Sequence, residues 1–318
     1  MPELRSSDDP NSPPCFCYVL VDDNSDSLCE ATWISGLLLR RLYETARIVV
    51  VCDIPTEKRL RSKSLNFQHS YIDLFATDIP VHFVGSAIRS RFLKTQIRSL
   101  IDGDLVFLDA DAIPLRPFDK LFRHDRQFAA VQDRNRENTR PHMPNWVEPI
   151  YRRFGWTYPL PNYFNSGVMF LRDDADTREL GKLWHERWNQ VLKEFGKHQD
   201  QPALNSSLHD LGLSTEILPV SYNAMVDASP WFARNARIVH YFFSGRQGCF
   251  DPDSLLQHLI DEFTGTGQIE WQQHRNSIER GDCWIHPTNS IVKELVSRNY
   301  LRAVNLLIRR TGRSLGWS

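Results

Sequence analysis

The chain has 318 residues, 41% of them hydrophobic and 24% charged, enough for one large α/β domain with appendages or for two modest domains. Its 38 basic residues face 39 acidic ones, so no global field favours nucleic acid or a membrane, and partners must be sought locally. Six cysteines (Cys15, Cys17, Cys29, Cys52, Cys249 and Cys283) include no C-x-x-C pair, which excludes a zinc ribbon and predicts reduced thiols.

Residues 1–14 are polar and proline-rich, without the apolar centre of a signal peptide, and read as a disordered tail. No apolar run reaches bilayer length, so a cytoplasmic protein is expected. Tyr18–Val21 predicts a strand ending at Asp22-Asp23-Asn24. Apolar residues at helical spacing follow from Leu28 to Tyr43, and Ile48–Cys52 predicts a second buried strand. A strand–helix–strand order builds a parallel sheet, because parallel neighbours need a crossover. Val81–Val84 is read as a third strand, Ser90–Leu100 as helical, and Leu105–Leu108 as a fourth strand that stops at Asp109-Ala110-Asp111. Both acidic clusters thus fall at the carboxyl ends of predicted strands, where open α/β sheets bind ligands.

The second half is less regular. Phe128–Val131, Val168–Leu171 and Arg237–Phe242 are read as strands, and Thr177–Phe195 and Gln201–Leu211 as helices. Arg134–Asn162, rich in Pro, Arg and Trp, reads as a long loop over a site.

Asp109-x-Asp111 suits a hard divalent cation, since Mg²⁺ and Mn²⁺ favour carboxylate, phosphate and water. Two acids after a strand are also common as a solvated turn, but a like-charged pair at a core edge repels itself unless something positive binds. Asp200-Gln201 opens a helix, where a cap is the simpler explanation. His240 ends a short strand and is read either as a hydrogen-bonded structural residue or as a metal ligand. Arg246 is a candidate diphosphate contact.

Taken together these residues resemble family 8 glycosyltransferases, the retaining group that includes glycogenin and bacterial lipopolysaccharide galactosyltransferases. The likeness runs from about Cys15 to Gly245, in the family's order: Val21-Asp22-Asp23-Asn24; Arg91-x-x-Lys94; Gly103 to Asp111; Phe164-Asn165-Ser166-Gly167-Val168; Asp200-Gln201-x-x-Leu204-Asn205; Leu218-Pro219-x-x-Tyr222-Asn223; and Val239-His240-Tyr241. Any one match is weak, but the ordered series is specific.

The resemblance implies a GT-A-type nucleotide-diphospho-sugar transferase fold: an α/β protein with a Rossmann-like mixed sheet flanked by helices. The domain would span 15–265, with a C-terminal helical extension over 266–318. It implies a hexosyltransferase that takes a UDP-sugar donor, uses Mn²⁺ or Mg²⁺, and retains anomeric configuration. Asp109, Asp111 and His240 would hold the metal. Asp22, Asp23, Asn24, Arg91, Lys94, Asn165, Ser166, Gly245 and Arg246 would bind the donor, and Gln201 and Asp200 would sit beside the anomeric carbon. The acceptor would be a glycan, lipid or protein.

One departure stands out. The family often follows its metal histidine with a glycine and then Lys-Pro-Trp; here the text is His240-Tyr241-Phe242-Phe243-Ser244-Gly245-Arg246. A catalytically silent binder of the same fold therefore stays open. A sugar-1-phosphate nucleotidyltransferase is disfavoured, because Asp22-Asp23-Asn24-Ser25-Asp26 lacks a glycine-rich phosphate loop. Finally, Ile291–Arg310 has near-helical apolar spacing and many basic residues. It reads either as a helix packed on the domain or as a basic amphipathic helix in peripheral membrane contact.

Overall fold

The computed structural model describes residues 14–22, 27–62, 72–123, 125–135, 145–158, 162–242, 250–285 and 290–314. The expected tail over 1–13 lies outside them, as do Asp23, Asn24, Gly245 and Arg246.

The chain enters on β1 (Cys15–Leu20), crosses over by α1 (Leu28–Leu42) to β2 (Ile48–Asp53), and by α2 (Ile54–Ser62) to β3 (Ile72–Thr77). Two helices, α3 (Ser86–Lys94) and α4 (Ile97–Leu100), then lead to β4 (Leu105–Leu108) and the short β5 (Ala112–Pro114). After β6 (Phe128–Gln132) come α5 (Glu148–Phe154), β7 (Phe164–Leu171), α6 (Ala175–Phe195), α7 (Gln201–Leu211) and β8 (Thr215–Ile217). The remaining elements are β9 (Ala224–Met225), β10 (Ile238–His240), α8 (Leu255–Thr266), α9 (Trp271–Arg280), α10 (Ile291–Val296) and α11 (Tyr300–Ser314).

A seven-stranded sheet has the order β3-β2-β1-β4-β7-β6-β8, and a smaller one the order β5-β10-β9. β1 pairs in parallel with both β2 and β4, whereas β7 runs antiparallel to β4 and to β6. The expected mixed sheet is therefore present. The strand order reverses between β1 and β4, and this switch point opens a crevice at their carboxyl ends.

Continuous apolar strands face a core on each side. Phe16, Tyr18 and Leu20 of β1 pack with α1 and with residues as distant as Phe263, Ile278 and Trp284. Cys15, Cys17 and Val19 face the opposite core, with Phe92, Trp184 and Trp188. Both cysteines are buried free thiols; burial pushes Cys15 up to about 11 and Cys17 well above the ordinary thiol value, which keeps them protonated.

Four expectations need correction. Val81–Val84 is no strand: Val81 and Val84 are 97% and 72% exposed, and of this run Phe83 packs inward, against Phe92 and Trp188. The third strand is Ile72–Thr77, an edge strand whose alternation with Asp73 hides it from a search for apolar runs. The helical stretch at Ser90–Leu100 is two helices, broken at Thr95, whose hydroxyl donates back to the carbonyls of Arg91 and Phe92. The 134–162 segment contains α5, which has Pro149 in its first turn and stops at Gly155 with φ +66°.

The C-terminal stretch is likewise two helices, α10 and α11, separated at Arg298 with φ +60°. Lys293 does not belong to an exposed basic face: its Nζ donates to Asp251 (2.6 Å) and Asp253 (3.3 Å) and sits over the Trp284 ring. Among the described residues no helix is long and apolar enough to cross a membrane.

Candidate functional site

β4 ends at Leu108, and Asp109-Ala110-Asp111 carries the chain into β5. The Asp109 N–H donates to the Gly167 carbonyl at 2.7 Å, which fixes the turn against β7. The register of β5 with β10 puts Ala112 opposite His240, and the Tyr241 N–H donates to the Asp111 carbonyl at 3.0 Å. The small sheet thus brings a distant histidine to the acid pair. Ligand atoms of Asp109, Asp111 and His240 all lie within 4.8 Å of one another. His240 Nε2 is 3.2 Å from Asp111 Oδ1 and 3.9 Å from Asp109 Oδ2.

This trio fits a divalent cation. Two carboxylates and an imidazole are a suitable donor set for Mn²⁺ or Mg²⁺. The backbone beneath it is bare: a Cβ on Gly167 would meet His240 Cε1 at 2.3 Å and Asp109 Oδ2 at 2.9 Å. The His240 ring also stacks on Phe242, with centroids 4.0 Å apart, although Phe242 adopts φ +49°, a backbone conformation that side chains disfavour.

Positive charge comes from α3. Arg91 and Lys94 are three residues apart, so they share a helix face. Lys94 is only 1% exposed, and its Nζ donates to Asp109 Oδ1 (2.9 Å) and Ser166 Oγ (3.3 Å). It also lies 3.8 Å from Asp200 Oδ2 and 4.7 Å from the centre of the Phe107 ring. Arg91 Nε lies 3.0 Å from Asp200 Oδ1. Burial pushes the Asp200 carboxyl up, but Lys94 and Arg91 outweigh it and hold the group below its ordinary value. Asp200 stands at the N-cap position of α7 yet makes no side-chain cap bond. The capping explanation is therefore set aside, because its carboxylate turns to the two cations instead.

Beyond the acid pair, Asn165 donates to Gln201 Oε1 at 3.3 Å and to Asp133 Oδ1 at 3.1 Å. A cavity of about 700 Å³ connects Arg91, Lys94, the acid pair, His240, Asn165, Asp200 and Gln201, and its lining follows the strand order. At β1 it is lined by Val19, Leu20, Val21, Leu28 and Ala87, and at β4 by the acid pair; from β7 outward come Asn165, Ser166, Asp200, Gln201 and Trp146. Asp22 does not line it. That residue is buried, its N–H donates to Thr56 Oγ1 at 2.9 Å, and its carboxylate lies 3.5 Å from Arg59 Nε.

Trp146 and Trp156, both in the stretch read as a loop, lie in different surroundings. Trp156 stacks on Phe154 and lies under Arg187, which anchors its own segment; Trp146 faces the cavity. Gly167, Asp133 and Asn223 had no role assigned from their residue types or spacing. The last accepts from, or donates to, His240 Nδ1 across 3.0 Å. Both Gly167 and Asn223 stand in quoted motifs, but no spacing rule connects them to His240.

Residues 45–244 match the family model described as nucleotide-diphospho-sugar transferase. No curated protein matches the chain. Among solved structures, the galactosyltransferase LgtC, in complex with donor and acceptor sugar analogues, is 14% identical with a TM-score of 0.51; the match covers 81% of this chain and 99% of LgtC. The bifunctional glycosyltransferase WbbM is 15% identical at a TM-score of 0.51, covering 85% of this chain. The matched region spans only about half of WbbM, 52% of its length. GlyE from Streptococcus pneumoniae TIGR4 is 14% identical at a TM-score of 0.51, with 88% and 66% covered.

Proposed function

The chain belongs to the nucleotide-diphospho-sugar transferase family, a glycosyltransferase with the GT-A fold, and from that premise we propose that it is a metal-dependent, retaining hexosyltransferase using a UDP-sugar. The observation that carries the reading is the convergence of Asp109, Asp111 and His240 at the β1/β4 switch point, beside Arg91 and Lys94. A cation held by that trio would supply Lewis-acid stabilisation to a leaving diphosphate.

The residues divide the work along the cavity. The apolar slot at β1 suits a nucleoside base, and the amides and carboxylate from β7 outward suit sugar hydroxyls. Lys94, already engaged with Asp109, fixes that ligand, whereas Arg91 offers its charge to the cavity. Asp200 stays ionised beside both cations and orients them. Gln201, held by Asn165, flanks the anomeric carbon. In a same-face displacement the sugar–diphosphate bond breaks as the acceptor oxygen attacks, and the acceptor proton passes to the departing diphosphate oxygen. The acceptor approaches past Trp146, on the side away from the nucleoside slot.

A peripheral membrane contact is the second part of the proposal. α11 exposes Tyr300, Leu301, Val304, Leu307 and Ile308, which fall on one side of the helix, and the chain carries no acid after Glu294 but five arginines. An apolar face on a wholly basic segment suits an anionic lipid surface.

The deciding experiment measures donor hydrolysis and binding over a panel of nucleotide sugars, with Mn²⁺ and then with EDTA. Metal-dependent UDP release from one donor supports the reading. Binding without turnover, even with acceptor extracts added, overturns it in favour of a silent binder, and absence of binding overturns it altogether.

A further inference from the structure

At the resolution of ordinary hydrogen-bond geometry an amide's ends and a histidine's tautomer are ambiguous, unless a donor of known identity fixes them. Here one does. The Gly167 backbone N–H can only donate, and it lies 2.9 Å from Asn165 Oδ1, so that atom is the carbonyl oxygen. The other end of Asn165 is then the NH₂, consistent with its contacts to Asp133 Oδ1 and Gln201 Oε1.

The same Asn165 oxygen accepts from Asn223 Nδ2 at 2.8 Å. A carbonyl oxygen cannot donate, so this end of Asn223 is its NH₂, and its own oxygen faces His240 Nδ1 at 3.0 Å. That oxygen in turn accepts only, which places the proton of the neutral imidazole on Nδ1. The lone pair is left on Nε2, directed at Asp109 and Asp111. Both asparagines are buried.

We propose that Asn165 and Asn223 are positioning residues whose amide relay, set by the Gly167 N–H, locks His240 in its metal-ligating tautomer. This deepens the metal-centre reading and rests on it. The opposite tautomer would put a proton on Nε2 and let the ring donate to Asp111, closing the corner as a plain histidine–carboxylate hydrogen bond. The relay therefore decides between a cation site and a closed pair. Because Asn165 also holds Gln201, one amide orients both the histidine and the glutamine.

The test uses full-length protein with ¹⁵N-labelled histidine. In metal-free wild type, the His240 ring should show the proton on Nδ1; in Asn223→Leu it should move to Nε2. Mn²⁺ titration should show affinity lower by ~10–100-fold in Asn223→Leu, as for other groups that orient a metal ligand. A proton on Nε2 in the wild type overturns the relay without need of any variant. An unchanged tautomer, or Mn²⁺ affinity within twofold of wild type, in a folded Asn223→Leu also overturns it. Wild type that carries the Nδ1 proton but binds no Mn²⁺ supports the relay while overturning the metal reading, so the two failures are distinguishable.

Discussion

Gly167 leaves no room for a side chain against His240: an added Cβ would stand 2.3 Å from the ring's Cε1. Neither partner can give way. The ring is held by Asn223 on one edge and stacked on Phe242, and the Gly167 backbone lies in β7, bonded to Asp109. Gly167→Ala should therefore push His240 or Asp109 off position while sparing the distant cores. We expect Mn²⁺ affinity and turnover to fall at least ~10–100-fold with a native circular dichroism spectrum. Isothermal titration with Mn²⁺ checks this, and wild-type affinity in the variant would show that the contact is harmless.

Asp109→Asn and Asp111→Asn should abolish transfer and leave the fold intact. Removing one carboxylate costs several kcal/mol of transition-state stabilisation, roughly a thousandfold in rate. UDP release under saturating donor and Mn²⁺ is the measurement. Nearly normal turnover in either variant would exclude that residue from the metal role. Asp109→Asn also deprives Lys94 of its partner at 2.9 Å, so a modest loss of thermal stability should accompany it alone.

Gln201→Ala should lower kcat with little change in donor KM, because on the proposed function Gln201 lines the cavity among Asn165, Ser166 and Asp200 and not among the apolar residues at β1. A raised KM with normal kcat would instead make Gln201 a simple binding residue.

How much of this was legible beforehand differs by region. β1, β2 and β4 are buried on both faces, so each reads as an unbroken apolar run, and the acid pair follows β4 directly. β3 was missed because Asp73 interrupts its short apolar run, as an edge strand tolerates. The decoy Val81–Val84 is apolar in composition but has no partner strand, a fact of tertiary context. At the site, motif order singled out Asp109, Asp111 and His240, which the fold brings together. The cradle of Gly167 and the orientation of Asn223 depend on the register of two sheets, which no local pattern encodes.

Stability should depend on acidity through Asp173, which joins the β4 approach to α6. Its carboxylate accepts from the Gly103 N–H at 2.7 Å and from Arg178 Nε at 2.8 Å. Burial pushes the group up, but Arg178 and the Gly103 bond outweigh it and hold it below its ordinary value of 3.8. A depressed folded value contributes stability that is present above the unfolded value and lost as pH falls through the folded one. Asp173→Asn should cost about 1 kcal/mol near neutrality, and the difference from wild type should close below pH 3.8. Urea unfolding at several pH values tests this, and a gap that persists in acid would mean that the loss is not electrostatic.

The lipid contact predicted for α11 is best tested without deleting α10, whose Lys293 is bonded to Asp251 and Asp253. Leu301→Glu with Ile308→Glu changes only exposed positions. Flotation on anionic vesicles should carry wild type upward and leave the double variant behind, whereas zwitterionic vesicles should carry neither. Equal flotation of both proteins would remove the membrane idea.

The pairing of β5 with β10 has a consequence for biosynthesis. The acid pair is made early, but its histidine arrives only when the chain has been extended through β10. At roughly 5–20 residues per second of translation, the nascent chain carries Asp109 and Asp111 for on the order of ten seconds before His240 is made. A chain truncated by a premature stop before β10 would lack His240 and also Phe263, Ile278 and Trp284, which share the core under β1. On the proposed function, activity would be reserved for molecules whose synthesis has passed β10.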